Sequence, residues 1–341
     1  MRTFLSATVA VFLSQCCGAA AAERINVAVI GSVVDTPFYI ARDNDFFKNE
    51  DLDVNFVSFD SGAKAIVPLA TGDLDIGSGA LSVAFYNAMG RGVLIRVVAD
   101  KGHTERGYYY QSIFVRKDLI DSGAFRTLKD LKGKRMGFAA AGVTALSVLN
   151  EATKFAGIAF DDVEPVYMSF PMQIIALKNK AIDASILIEP AATIAANEGF
   201  GVRFMNTEEF YPDDQVAAVF YSDRFASSRP DAAHKFMKAY LRGIRAYNDA
   251  LTDRRLIGVK AQKVADIITS NFRLNPDLVA QMNSPALDPD GMLRTDSIRK
   301  DFTFFQSKGW LTGNVRLEQV IDMSFAQRAA AELGPYRPAG Q

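Results

Sequence analysis

Cysteine, histidine and tryptophan are nearly absent: the 341 residues hold two cysteines, two histidines and one tryptophan. Both cysteines, Cys16 and Cys17, fall near the N-terminus, so the rest of the chain has no thiolate chemistry, no cysteine metal site and no disulfide. His103 and His234 stand far apart in sequence and form no His-Glu-x-x-His pair. No Walker loop, nucleophile elbow or calcium-loop spacing occurs, and Gly77-Ser78-Gly79 is too short for a dinucleotide fingerprint. The expectation is a protein with no catalytic residue, no metal and no cofactor. Charge of one sign is lacking as well. The 38 basic and 39 acidic side chains leave a net charge of −1 with no long basic run, which argues against nucleic acid as a partner.

Long hydrophobic runs are also missing, except for one. Met1-Arg2 leads into an apolar stretch from Phe4 to Leu13, and Gly18-Ala19-Ala20-Ala21-Ala22 precedes the first acidic residue, Glu23. The apolar stretch is too short to span a bilayer, which needs about 20 residues, and it ends in small residues that suit cleavage. Residues 1–22 are therefore expected to be a secretory signal peptide cleaved near Ala22, leaving a periplasmic protein. A lipid anchor on Cys16 or Cys17 is the alternative, but Ser14-Gln15 lacks the small residue such signals place before the cysteine.

The remainder alternates apolar runs of strand length with segments of helical period. Residues 25–30 and 54–59 read as strands, 37–44 and 64–70 as helices, which implies an α/β fold with helix-covered, mostly parallel sheets. An internal echo refines this. Leu69 and Gly72-Asp73-Leu74-Asp75-Ile76 recur about 108 residues later as Leu177 and Lys180-Ala181-Ile182-Asp183-Ala184, with Leu-to-Asp spacing preserved. Two similar lobes follow, expected at residues 24–115 with 220–341 and at 116–219, joined by two crossing strands at 111–115 and 215–221. Residues 231–249 form an amphipathic helix with Phe236, Tyr240, Ile244 and Tyr247 on one face.

Open sheets of this kind bind ligands beyond the carboxyl ends of their strands, where loops enter helix N-termini. In lobe one those loops carry Thr36, Pro37 and Phe38; Ser61 and Gly62; and Ser78, Gly79 and Ala80. In lobe two the matching loop carries Gly142, Val143 and Thr144. Glycine permits close approach and hydroxyl residues cap helices, so these positions suit a polar or anionic group. Glu189 is a candidate acceptor for an amine or amide, and Phe170, with other aromatics such as Tyr110, is a candidate for stacking on a flat ring. Asp35, Asp60 and Glu189 would repel a bare anion if all faced inward.

These segments resemble the periplasmic solute-binding proteins of ABC importers, in the group that takes sulfonates, nitrate and thiamine pyrimidines. The resemblance rests on Thr36-Pro37-Phe38-Tyr39-Ile40-Ala41 followed by Phe46-Phe47, on Asp60-Ser61-Gly62, and on Gly72-Asp73-Leu74-Asp75-Ile76-Gly77. Leu128-Lys129-Asp130-Leu131-Lys132-Gly133-Lys134, Glu189-Pro190 and Arg229-Pro230-Asp231-Ala232 add to it. It implies a type II periplasmic-binding-protein fold, a monomer whose lobes close on a small-molecule ligand, and a membrane permease that receives it. A ligand sensor for a membrane receptor is the alternative, and a pyrimidine-synthase-like enzyme is a more distant one.

Overall fold

The structure, a computed structural model, describes residues 22–338. The expected signal peptide up to Ala21 and both cysteines lie outside them. Ten strands occur in chain order: β1 Glu23–Val29, β2 Leu52–Ser58, β3 Ile76–Gly79, β4 Ile95–Gly102, β5 Gln111–Arg116, β6 Arg135–Phe138, β7 Glu164–Tyr167, β8 Ala184–Ile188, β9 Gly201–Asn206 and β10 Ala217–Ser222. They form two five-stranded sheets, ordered β2-β1-β3-β10-β4 and β7-β6-β8-β5-β9. Helices flank both.

The two orders map onto each other strand for strand, and the echoed aspartates show why the repeat survives. Asp75 sits just before β3; its Oδ2 accepts the Asn26 amide at 2.9 Å, and its own amide donates to the Asn26 carbonyl at 3.1 Å. Asp183, just before β8, does the same with Arg135, at 3.0 and 2.8 Å. The carbonyls of the two aspartates accept the amides of Ser222 and Arg116 at 3.0 and 2.9 Å, where β10 and β5 end. One aspartate, through its side chain on one side and its carbonyl on the other, thus pins the start of a central strand to both neighbours in each lobe. Satisfying those otherwise unpaired edge groups is reason enough for aspartate at both positions.

The sheets are mostly parallel, as the sequence implied, with one antiparallel strand in each. β10 runs antiparallel to β3 and β4, and β5 runs antiparallel to β8 and β9. The expected crossing strands are thus the antiparallel members of the sheets, and the chain crosses between lobes just before each of them, through residues 103–110 and 207–216. Lobe boundaries placed at 115/116 and 219/220 cut β5 and β10, each of which is hydrogen-bonded on both sides within a single sheet.

Helix Pro230–Asp249 buries Phe236, Tyr240, Ile244 and Tyr247, as its period requires. It packs on helix Thr36–Asp43, and Gly243 permits the approach: a Cβ there would lie 2.2 Å from the Pro37 carbonyl oxygen. The tail covers lobe one, and helix Thr295–Ser307 also reaches helix Ala145–Ala156 of lobe two, where Lys300 pairs with Glu151 at 2.7 Å.

Candidate functional site

A cavity of about 60 Å3, partly open to solvent, lies between the lobes. Lobe one contributes Ile30, Val34, Asp60, Ser61, Gly62 and Ala80; lobe two contributes Gln111, Ala139, Val143 to Ala145, Phe170, Ile186 and Ile188; the crossings bring Tyr110 and Val216, and Ala217 opens β10. Three helices start at its wall: Gly62–Thr71, Ala145–Ala156 and Phe170–Lys178. The first amides of a helix have no intrahelical acceptor, so each start presents donors. The helix at Gly62 reaches the wall because two glycines meet there; a Cβ on Gly62 would lie 2.9 Å from the Gly79 Cα, and Gly79 holds φ +131°.

Six sequence-expected residues line the cavity: Ser61, Gly62, Ala80, Val143, Thr144 and Phe170. The other seven do not. Thr36, Pro37 and Phe38 are buried in the lobe-one core, where the Phe38 ring packs on Phe56, Phe236 and Tyr240. The loop before them is not free to take a ligand, because Asp35 Oδ2 already accepts the amides of Ile30 and Ser32 at 3.0 and 3.2 Å. Ser78 and Gly79 belong to β3, and Ser78 Oγ donates to the Ala28 carbonyl at 2.6 Å.

Gly142 and Glu189 form the seams where the lobes meet. At one seam the Val83 amide donates to the Gly142 carbonyl at 2.7 Å, and a Cβ on Gly142 would lie 2.6 Å from Val83 Cβ. At the other, the Glu189 carbonyl accepts Ser32 Oγ at 3.0 Å and the Val33 amide at 3.2 Å. The Glu189 carboxylate is buried; it takes Arg203 Nη2 at 2.8 Å, the Thr193 amide at 3.0 Å and the Asn283 amide at 3.3 Å. Glu189 therefore ties lobe two to Ser32, Val33 and Asn283 of lobe one, instead of offering its carboxylate to a ligand.

Among the described residues no lysine, arginine or histidine lines the cavity. Asp60 is the one charged lining residue and is paired with Lys64. Asp35 is fully buried with Lys101 Nζ at 2.6 Å, and burial lowers the Lys101 pKa against the opposing pull of Asp35. His103 is buried with Nδ1 3.0 Å from Asp100. Burying an anion costs several kcal/mol, and a helix N-terminus returns about 0.3–2 kcal/mol, so two or three helix starts only partly offset that cost. Ser61 Oγ at the wall is buried without a hydrogen-bond partner, and so is the Tyr110 hydroxyl, which lies beside Gly102 at the end of β4. Burial holds the Tyr110 phenol far above its usual pKa, so it stays a neutral donor.

Ile30, Val34, Ile186, Ile188 and Val216 were missed from sequence because site logic there looked for glycine and hydroxyls. Ile30 and Ile188 nevertheless stand at the carboxyl ends of β1 and β8, where the strand-end rule points.

Two α/β lobes on crossing segments, closed around a cavity at helix starts, define a two-lobed binding-protein fold. The chain belongs to the NMT1/THI5-like family, whose model matches residues 33–250. A putative binding protein of Brucella abortus is 25% identical over 243 residues, which is 69% of this chain and 70% of that one. The taurine-binding periplasmic protein of Escherichia coli is 24% identical over 292 residues, covering 80% of this chain and 87% of the relative. Among solved structures, the alkanesulfonate-binding protein SsuA of Xanthomonas axonopodis pv. citri, bound to MOPS, superposes with a TM-score of 0.70 at 18% identity, over 89% of this chain and 98% of that one. A desulfurization enzyme shares the fold at a TM-score of 0.61 and 15% identity, over 92% of this chain and 100% of that one.

Proposed function

We infer that this chain is the periplasmic solute-binding component of an ABC importer, taking a small organic molecule into the interlobe cavity and presenting the closed form to a membrane permease. The observation that carries the reading is the cavity itself, walled by helix starts from both lobes. A ligand there touches both lobes only when they are closed, so binding and closure are one equilibrium. The names of the relatives support the importer role. They leave open a sulfonate-like solute or an aromatic or heterocyclic anion. Export with cleavage near Ala22, and a monomeric state, belong to the same proposal.

The reading includes no catalysis. Family membership supports that, and the cavity wall supports it too, since Ser61 has no histidine beside it to act as a base and the one lining carboxylate is paired with Lys64. The test is to purify the mature protein from periplasm, release its ligand by denaturation and identify it by mass spectrometry. A ligand at about 100 times its dissociation constant should add about 2.7 kcal/mol to the stability of the emptied protein. Uptake of that compound should be lost when the gene is deleted; unchanged uptake would end the importer reading.

A further inference from the structure

We propose that the solute this cavity takes is uncharged and mostly apolar, about the size of one ring, with a single hydrogen-bonding group directed at Ser61. The proposal rests on the importer reading and departs from it in the charge of the cargo.

Three observations converge on it. The walls are aliphatic and aromatic: Ile30 and Val34 from lobe one face Ile186, Ile188 and Phe170 from lobe two. Every nearby charge is already answered within the protein, Asp35 by Lys101, Asp60 by Lys64 and Glu189 by Arg203, so no cation is left to neutralise an entering anion. A sulfonate would have to leave water for a wall that offers only helix dipoles, whereas a neutral ring loses little hydration and gains the apolar surface.

The third observation is a hydroxyl that the fold does not use. Ser61 precedes helix Gly62–Thr71 with extended φ/ψ, the place where a serine ordinarily caps its own helix, yet its Oγ accepts nothing from the first turn. The residue is 5% exposed, lines the cavity, and its Oγ has no hydrogen-bond partner. A buried hydroxyl left unmade is costly, and a ligand that supplies its partner recovers that cost. Neutral donors and acceptors on apolar walls select a hydroxyl, carbonyl or amide group on an apolar body.

Titration calorimetry on residues 23–341 with benzyl alcohol, benzamide, benzoate and benzenesulfonate tests the charge directly, because the four share one ring. The two neutral probes are expected to bind at least about tenfold more tightly than the two anions. Raising the salt concentration should leave the neutral affinities unchanged. Ser61→Ala should weaken benzyl alcohol about five- to tenfold while the thermal midpoint of the unliganded protein is kept or raised, since an unpaired buried hydroxyl is removed, which shows that the variant folds. Benzoate or benzenesulfonate binding as tightly as the neutral pair overturns the proposal and leaves the importer reading intact. Absence of binding by both neutral probes at millimolar concentration overturns it too. The importer reading is judged separately by uptake in the deletion strain.

Discussion

The cavity wall and the layer behind it are both buried, but they handle polar groups in opposite ways. At the wall Ser61 Oγ stays unpaired. Behind Val34 the chain buries Asp35, Lys101, Asp100, His103, Asp214 and Gln215, and links most of them. Gln215 Nε2 donates to Asp100 Oδ1 at 2.7 Å and to the Ala217 carbonyl at 2.8 Å. The Thr104 amide donates to the Asp214 carbonyl at 2.9 Å, and the Asp214 amide to Thr104 Oγ1 at 2.8 Å, so the two crossings are bonded to each other. A hinge has to keep one geometry through many closures, and a connected polar network specifies it. A binding wall has to keep groups in reserve for a ligand that comes and goes.

The sharpest way to break that contrast is to strip the hinge layer of one charge. Lys101→Met leaves the Asp35 carboxylate buried without its cation while Ile30 and Ser32 still point their amides at it. Losing one partner of a buried pair costs about 3–5 kcal/mol, the largest effect expected here, and urea unfolding at neutral pH measures it. A drop below about 1 kcal/mol would mean that the layer is not the rigid part.

The next effect depends on pH. Asp301, on helix Thr295–Ser307, receives the Tyr211 hydroxyl at 2.7 Å, and burial pushes its carboxyl up from 3.8 to about 7. The native state then holds a proton that the unfolded chain releases, so stability should fall as pH rises from about 4 to about 7 and level off above. Asp301→Asn keeps an acceptor for Tyr211 and has nothing to deprotonate. It should match the parent near pH 4 and exceed it at pH 8 by a few kcal/mol. Asp214, raised by burial and by Asp301, retains part of the slope. Equal urea midpoints for parent and variant at pH 8 would remove Asp301 from the account.

How far the sequence carried depends on what each interaction required. The repeat was legible because Asp75 and Asp183 do the same local job in register with the same neighbours. Ser61 and Thr144 were legible because helix starts announce themselves by residue type. The lobe boundaries were not, since the strand alternation of residues 111–115 and 215–221 is the same whichever sheet they join. Thr36 to Phe38 looked like a ligand loop for the same reason that Ser61 did. What turned it inward is Asp35, committed to Lys101, a residue distant in sequence. Gly142 was picked for close approach to a ligand, and close approach is what it makes, to Val83 of the opposite lobe.

Two smaller effects sharpen the comparison at the seams, where lobe meets lobe. Glu189→Gln keeps the backbone carbonyl that receives Ser32 and Val33, and it removes the charge that holds Arg203. A loss of about 1.5–3 kcal/mol is expected for charge-assisted bonds. Gly142→Val acts on the closed form through one contact: its Cβ would meet Val83 at 2.6 Å, so closure should carry a penalty of about 1–3 kcal/mol, while the strain of valine at φ +67° is the same with the lobes open or closed. When the lobes part, the contact with Val83 is relieved. Small-angle scattering should therefore show a larger radius for the variant, and ligand affinity should fall by about tenfold or more while lobe two keeps its fold. A variant as compact as the parent and binding as tightly would show that the Gly142 seam is not part of closure, leaving the Glu189 seam and the Lys300–Glu151 pair to hold the lobes together.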